Sequence, residues 1–106
     1  MYAPLRQSPM RNRQPCVYIL ASRPKGTLYV GVTSNLVKRV WQHREEAVKG
    51  FSTRYDVHQL VWYEQHGTMN FAIAREKAIK KWRRVWKIKL IEAMNPDWED
   101  LYPSLF

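Results

Sequence analysis

The apolar and polar positions change period along this chain, and each change marks an element. Cys16 to Ala21 (Cys-Val-Tyr-Ile-Leu-Ala) is a short apolar run rich in strand-favouring residues. Leu28 to Val32 (Leu-Tyr-Val-Gly-Val) is a second such run. Between them lie Pro24 and Gly26, a turn signal, so the two runs read as a hairpin. Thr33, Ser34 and Asn35 are all N-cap types, and a helical period comes after them. Leu36, Val37, Val40, Trp41, Ala47 and Val48 share one arc of that helix, with Gly50 as its stop. Gly50 to His58 reads as a loop, and Gln59 to Gln65 as a third strand.

Gly67 and Thr68 break that strand, and Asn70 is a cap for the second helical stretch. From Phe71 to Met94 the period is helical again, but its phase slips. Phe71, Ala74, Ala78, Ile79 and Trp82 keep one side, whereas Ile88 and Ile91 fall opposite. One straight helix would expose both isoleucines, so a break is expected between Lys80 and Arg84. Asn95-Pro96 ends the segment, because proline disfavours helical geometry in the residue before it. The order is β-β-α-β-α-α. It argues for an α+β fold, a small three-stranded antiparallel sheet flanked by helices.

With 106 residues the chain fits one domain. Residues 1–15, with three arginines and three prolines, read as a mobile basic arm. Residues 16–96 form the domain, and the acidic, aromatic residues 97–106 a tail. No apolar run is long enough for a membrane helix or a secretory signal. Cys16 is the one cysteine, which excludes a disulfide within the chain and suits a reducing cytoplasm.

Charge changes the picture. The formal net charge is +9, and the simplest partner for a compact domain so basic is a polyanion, most often nucleic acid. Eight cations and two acids lie between Arg75 and Glu92. Lys77, Lys80, Lys81, Arg84 and Lys87 take the side of the helical wheel away from Phe71 and Trp82, with Arg83 beside them. This is either a solvated helix face or a stripe that contacts phosphates. Trp82 and Trp86 lie inside the cluster, and core packing is the more economical account of them than base stacking.

The usual catalytic motifs are missing. His43, His58 and His66 lack zinc-ligand spacing, there is no glycine-rich phosphate loop, and no serine or cysteine has a nucleophile's local context. A scattered set remains. Tyr18 and Tyr29 stand on successive strands. Arg39 and His43, four apart, share a helical face at the rim of the apolar arc. Glu76 is an acid inside a basic segment, where a surface ion pair with Lys80 is the plain alternative to a functional role.

Val17-Tyr18 followed by Tyr29-Val30-Gly31, then Arg39, Glu76 and Asn95 in order, resembles the GIY-YIG nuclease superfamily. The phrases Val-Tyr-Ile-Leu-Ala-Ser, Leu-Tyr-Val-Gly-Val-Thr, Ala-Arg-Glu-Lys-Ala-Ile-Lys-Lys-Trp and Asn-Pro-Asp-Trp resemble its small stand-alone bacterial members, the YhbQ-like group. The resemblance runs from about Cys16 to Tyr102. It implies an endonuclease that hydrolyses one strand of DNA to a 5′-phosphate and a 3′-hydroxyl, in repair or processing. It assigns Glu76 as the one protein ligand of a divalent ion, Mg²⁺ or Mn²⁺. Arg39 would then stabilise transition-state charge, Tyr18 would take the proton of the attacking water with Arg39 and the metal favouring its phenolate, and Tyr29 would orient water or phosphate. His43 would accept or relay a proton, and Asn95 would tie the last helix to the sheet or the site.

The sequence departs from the family pattern in places. Cys16 stands where glycine is common, Val32 where the excision-repair branch has lysine, and His43 where that branch has tyrosine. Gly31 fits either a bulge or a close approach of the backbone to substrate. With no appended DNA-reading module in this chain, substrate choice falls to the basic stripe (Lys77, Lys80, Lys81, Arg83, Arg84, Lys87), the arm, a second copy of the chain or a partner protein. The alternative class is a basic module that keeps the nuclease fold and binds nucleic acid without turnover.

Overall fold

The computed structural model describes residues 14–45 and 57–106. The elements run β1 (Cys16–Ala21), β2 (Leu28–Thr33), α1 (Leu36–Glu45), β3 (Gln59–Gln65), α2 (Met69–Lys80), α3 (Arg84–Met94) and a 3₁₀ turn (Tyr102–Leu105). Most of the basic arm, the Ala47–Val48 end of the first helical arc and its Gly50 stop lie outside the described residues.

The sheet order is β2-β1-β3 and both pairings are antiparallel. β1 takes the centre because it is apolar throughout, and all six of its residues are buried. Its side chains divide by pleat. Val17, Ile19 and Ala21 face one core, with Val30, Ala72, Ile79, Ile91 and Trp98. Cys16, Tyr18 and Leu20 face the other, with Leu36, Val40, Val57, Leu60 and Leu105. Helices α2 and α3 therefore cover one face of the sheet, while α1 and the 3₁₀ turn cover the other. Residues 97–106 are part of this packing, since Trp98 and Leu105 are both buried.

The β1–β3 ladder carries a bulge. Ile19 pairs with Trp62 but Leu20 pairs with Leu60, leaving Val61 as the extra residue. The slip sends Val61 and Trp62 to the same core while Leu60 joins the opposite one. Asn95, at the end of α3, donates from Nδ2 to the Val61 carbonyl at 3.1 Å and to the Glu99 carbonyl at 2.8 Å. Its Oδ1 accepts from the Glu99 amide at 3.0 Å. One buried amide thus serves the bulge and starts the turn that brings Trp98 back to the core.

Several sequence expectations need correction. Asn35 does cap α1, its Oδ1 accepting from the Lys38 amide. The cap of α2 is Thr68, whose hydroxyl accepts from the Phe71 amide, and not Asn70. The break between Lys80 and Arg84 is present. The buried line of α2 is Ala72, Glu76 and Ile79, whereas Phe71 is 68% exposed and Ala74 and Ala78 face solvent. The alanines make the apolar phase of this helix weak, and the small Ala72 lets it lie close on the sheet. Of the α1 arc, Leu36 and Val40 are buried but Trp41 is half-exposed.

Candidate active site

Tyr18 is the most enclosed member of the candidate set, 1% exposed at the middle of the central strand. It reaches that environment because its cross-strand partner is Gly31, and the ring fills the space a side chain there would take. Its hydroxyl stands 3.2 Å from Nε2 of His43. Tyr29, on the edge strand, completes an aromatic triangle. Its ring centre is 6.3 Å from that of Tyr18 and 5.2 Å from that of His43, and Tyr18 and His43 are 6.0 Å apart. Two strands and one helix thus bring together three groups that span 25 residues of chain.

Helix α1 orients the imidazole. Leu36 and Val40 anchor the helix on the sheet, and His43 comes three positions after Val40 on the same face. Arg39, four residues before His43, is exposed. Arg44, the residue after His43, pairs with Asp100 and stacks over the Tyr102 ring at 4.4 Å. Asp100 also accepts from the Leu60 amide at 3.2 Å and the Tyr102 amide at 3.1 Å. This clamp holds the end of α1, and with it His43, against the 3₁₀ turn. No local signal in the sequence marks Arg44 or Asp100, because the two lie 56 residues apart.

Burial pushes the Tyr18 phenol above its ordinary range. Tyr29 adds to this through its charge and through a side-chain hydrogen bond, and Glu76 adds a smaller push. The positive charge of Arg39 opposes them. The net direction is towards the neutral, hydrogen-bond-donating phenol, against the expectation that Arg39 would favour its phenolate. Arg39 and Glu76 both act on this phenol, although Glu76 belongs to α2, which covers the other face of the sheet from the Tyr18 ring.

Glu76 lies on the buried line of α2, its side chain 10% exposed. Oε2 takes the ammonium of Lys80 at 2.6 Å. Lys80 itself is 54% exposed, so the pair runs from the buried line of α2 out to solvent, with a cation already on the carboxylate. Among the described residues no group of three or more His, Cys, Asp or Glu stands together. These donors do not form an all-protein cage. They do fit a hard divalent ion that keeps most of its waters and takes one carboxylate oxygen.

The other residues of the candidate set fall elsewhere. Asn95 directs its side-chain hydrogen bonds to β3 and to the turn at Glu99, so it ties the last helix to the sheet. Of the basic stripe, Lys77, Lys81 and Arg83 are exposed. Lys80 is engaged with Glu76, and Lys87 donates to the Lys80 carbonyl at 3.3 Å. Arg84 donates to the carbonyls of Lys25 at 2.5 Å and Gly26 at 2.6 Å, pinning the β1–β2 turn to the start of α3. Trp82 packs against the core, but Trp86 is half-exposed, against the expectation that both would be buried.

No helix among the described residues is long and apolar enough to cross a membrane. Neither the curated proteins nor the solved structures contain a match to this chain. A family model, the GIY-YIG catalytic domain, does match, over residues 14–89. That stretch is more than two thirds of the sequence and holds the tyrosine pair, Arg39, His43 and Glu76. The chain therefore belongs to the GIY-YIG catalytic domain family, a family of endonucleases.

Proposed function

We propose that this protein hydrolyses a DNA phosphodiester, cutting one strand per encounter and leaving a 5′-phosphate and a 3′-hydroxyl. We place it with the small stand-alone YhbQ-like members and with structure-selective DNA repair or processing. The observation that carries the proposal is the Tyr18–His43 contact beside Tyr29, and the influence of Arg39 and Glu76 on the Tyr18 phenol supports it.

Each group has a task that its environment suits. A phenol held neutral by burial is a poor base alone, but its oxygen can take a proton if its own leaves. In the tautomer with the proton on Nδ1, His43 Nε2 accepts from Tyr18. A water that gives its proton to the Tyr18 oxygen while Tyr18 passes its own to Nε2 becomes the attacking hydroxide, and the imidazole ends protonated. Tyr29, at the mouth of the triangle, orients that water or the phosphate. The exposed Arg39 guanidinium reaches the non-bridging oxygens as charge grows on them. Glu76 would hold Mg²⁺ or Mn²⁺, and such an ion would supply neutralisation of charge on the phosphate and the leaving group. Lys77, Lys81 and Arg83 hold the backbone of the nucleic acid.

The test is a panel of branched, nicked and single-stranded DNA incubated with Mg²⁺, with and without chelator. The wild type is expected to nick at least one member, and Glu76→Ala and Arg39→Ala to lose that activity. Equal cleavage by wild type and Glu76→Ala overturns the proposal. Tight, salt-sensitive binding with no product identifies a module that binds nucleic acid without turnover.

A further inference from the structure

Trp86 is one of several large apolar residues that stand exposed, and the site does not account for its position. It is 52% exposed, at the third position of α3, and its neighbour Val85 is 50% exposed. Yet its ring is held in place. Trp82 packs on the core, and the two indoles meet edge to face with centres 6.4 Å apart and planes at 79°. Arg75 lies 5.4 Å from the centre of the Trp82 ring and is itself held by Glu64 through two hydrogen bonds of 2.9 and 3.3 Å. From the other side, Arg84 fastens the start of α3 to the tip of the hairpin. The indole is thus a half-open aromatic surface on a rigid mount.

Its surroundings select the ligand. Lys81, Arg83, Arg84 and Lys89 are exposed, and Lys87 is half-buried beside them. Arg23 and Lys25 are exposed on the pinned turn. A strongly positive field suits an acidic polymer, and an aromatic face within it suits a base. That combination is how single strands are gripped, by cations on the backbone and by stacking on rings that every base can use. A continuous duplex keeps its bases stacked on one another and has none to offer. The frame also links this surface to the catalytic groups. Gly26, where Arg84 docks, lies in the hairpin turn three residues before Tyr29.

We propose that Trp86 is a base-stacking residue and that it selects nucleic acid with unpaired bases next to the point of cleavage. The inference rests on the nuclease reading for its place beside cleavage, and it names the structural preference of that activity.

Binding of the full chain, in chelator so that nothing is cut, separates the two. The probes are a fluorescent single strand of about 20 nucleotides and the same sequence as a duplex. Trp86→Ala is expected to weaken single-strand binding by about 5- to 150-fold and duplex binding by less than about twofold. Trp86→Phe keeps most of the affinity, whereas Trp86→Leu, which keeps apolar bulk without a ring face, loses it as alanine does. The salt slope stays that of wild type in all three, since no charge is removed. Unchanged single-strand binding, or an equal loss on both probes, overturns the inference. So does a variant that turns a dimer into a monomer in sedimentation, which makes Trp86 a protein contact. Metal-dependent nicking with no Trp86 effect removes this inference alone. A Trp86 effect with no nicking removes the catalytic reading and leaves the stacking role.

Discussion

The ring of Tyr18 lies across the backbone of Gly31: a Cβ at Gly31 would stand 2.5 Å from both Cζ and the hydroxyl oxygen of Tyr18. The glycine is therefore a notch that admits the Tyr18 phenol, and neither a bulge nor a gap left for substrate. Gly31→Ala is expected to cost about 1–3 kcal/mol of stability by overpacking and to abolish nicking. A double-mutant cycle in denaturant checks the cause. In a Tyr18→Ala background the cost of Gly31→Ala should nearly vanish, and an undiminished cost would contradict the contact.

On the proposed mechanism Tyr18 and His43 form one relay, so their losses should not add. Tyr18→Phe and His43→Ala are each expected to lower the nicking rate by about 10²- to 10⁴-fold. The double variant should fall little further than the slower single one. Multiplying losses would mean two independent roles.

Asn95 belongs to the frame. Asn95→Ala leaves the Val61 and Glu99 carbonyls without their donor and is expected to cost about 1–3 kcal/mol. Nicking per folded molecule, at a temperature where the variant is folded, should stay near wild type. A large loss of rate in a folded variant would put Asn95 back among the reacting groups.

The Lys80 ammonium sits on Oε2 of Glu76, the carboxylate proposed to hold the metal. Lys80→Met is expected to tighten Mn²⁺ binding to the protein alone by about two- to fivefold, read by electron paramagnetic resonance. Weaker or unchanged Mn²⁺ binding would mean that lysine and metal do not compete for that oxygen.

Burial raises the Cys16 thiol from 9.0 to about 11 and pushes the Tyr18 phenol up as well. Both are neutral acids whose folded value exceeds the unfolded one. Their contribution to stability is full below pH 9 and is lost as pH rises from about 9 towards 11 and beyond. Urea midpoints should fall over that window, and Cys16→Val should flatten its lower part. A midpoint unchanged up to pH 11 would contradict this.

Much of the frame was legible because its signals are local. The strands announced themselves through apolar runs, and β3 spans the residues that its composition marked. The break before α3 came from a phase slip that no straight helix could hide. The face of α2 was not legible, because alanines at 72, 74 and 78 weaken its pattern and an acid, Glu76, occupies the buried line. Nor was the bulge at Val61, since a one-residue slip leaves no mark in an apolar strand. At the site, the residue types and their order were readable from the family resemblance. The neutral state of Tyr18 and the clamp of Arg44 on Asp100 were not, because both depend on neighbours distant in the chain.

A lone carboxylate and a tyrosine–histidine pair are proposed to cut DNA together. The most direct measurement is the single-turnover nicking rate on supercoiled plasmid in Mg²⁺ for wild type and Glu76→Gln, which keeps size and removes charge. Open-circular product is expected from the wild type and none above background from the variant, with both chains folded and bound to the plasmid. Equal rates from the two proteins would contradict it.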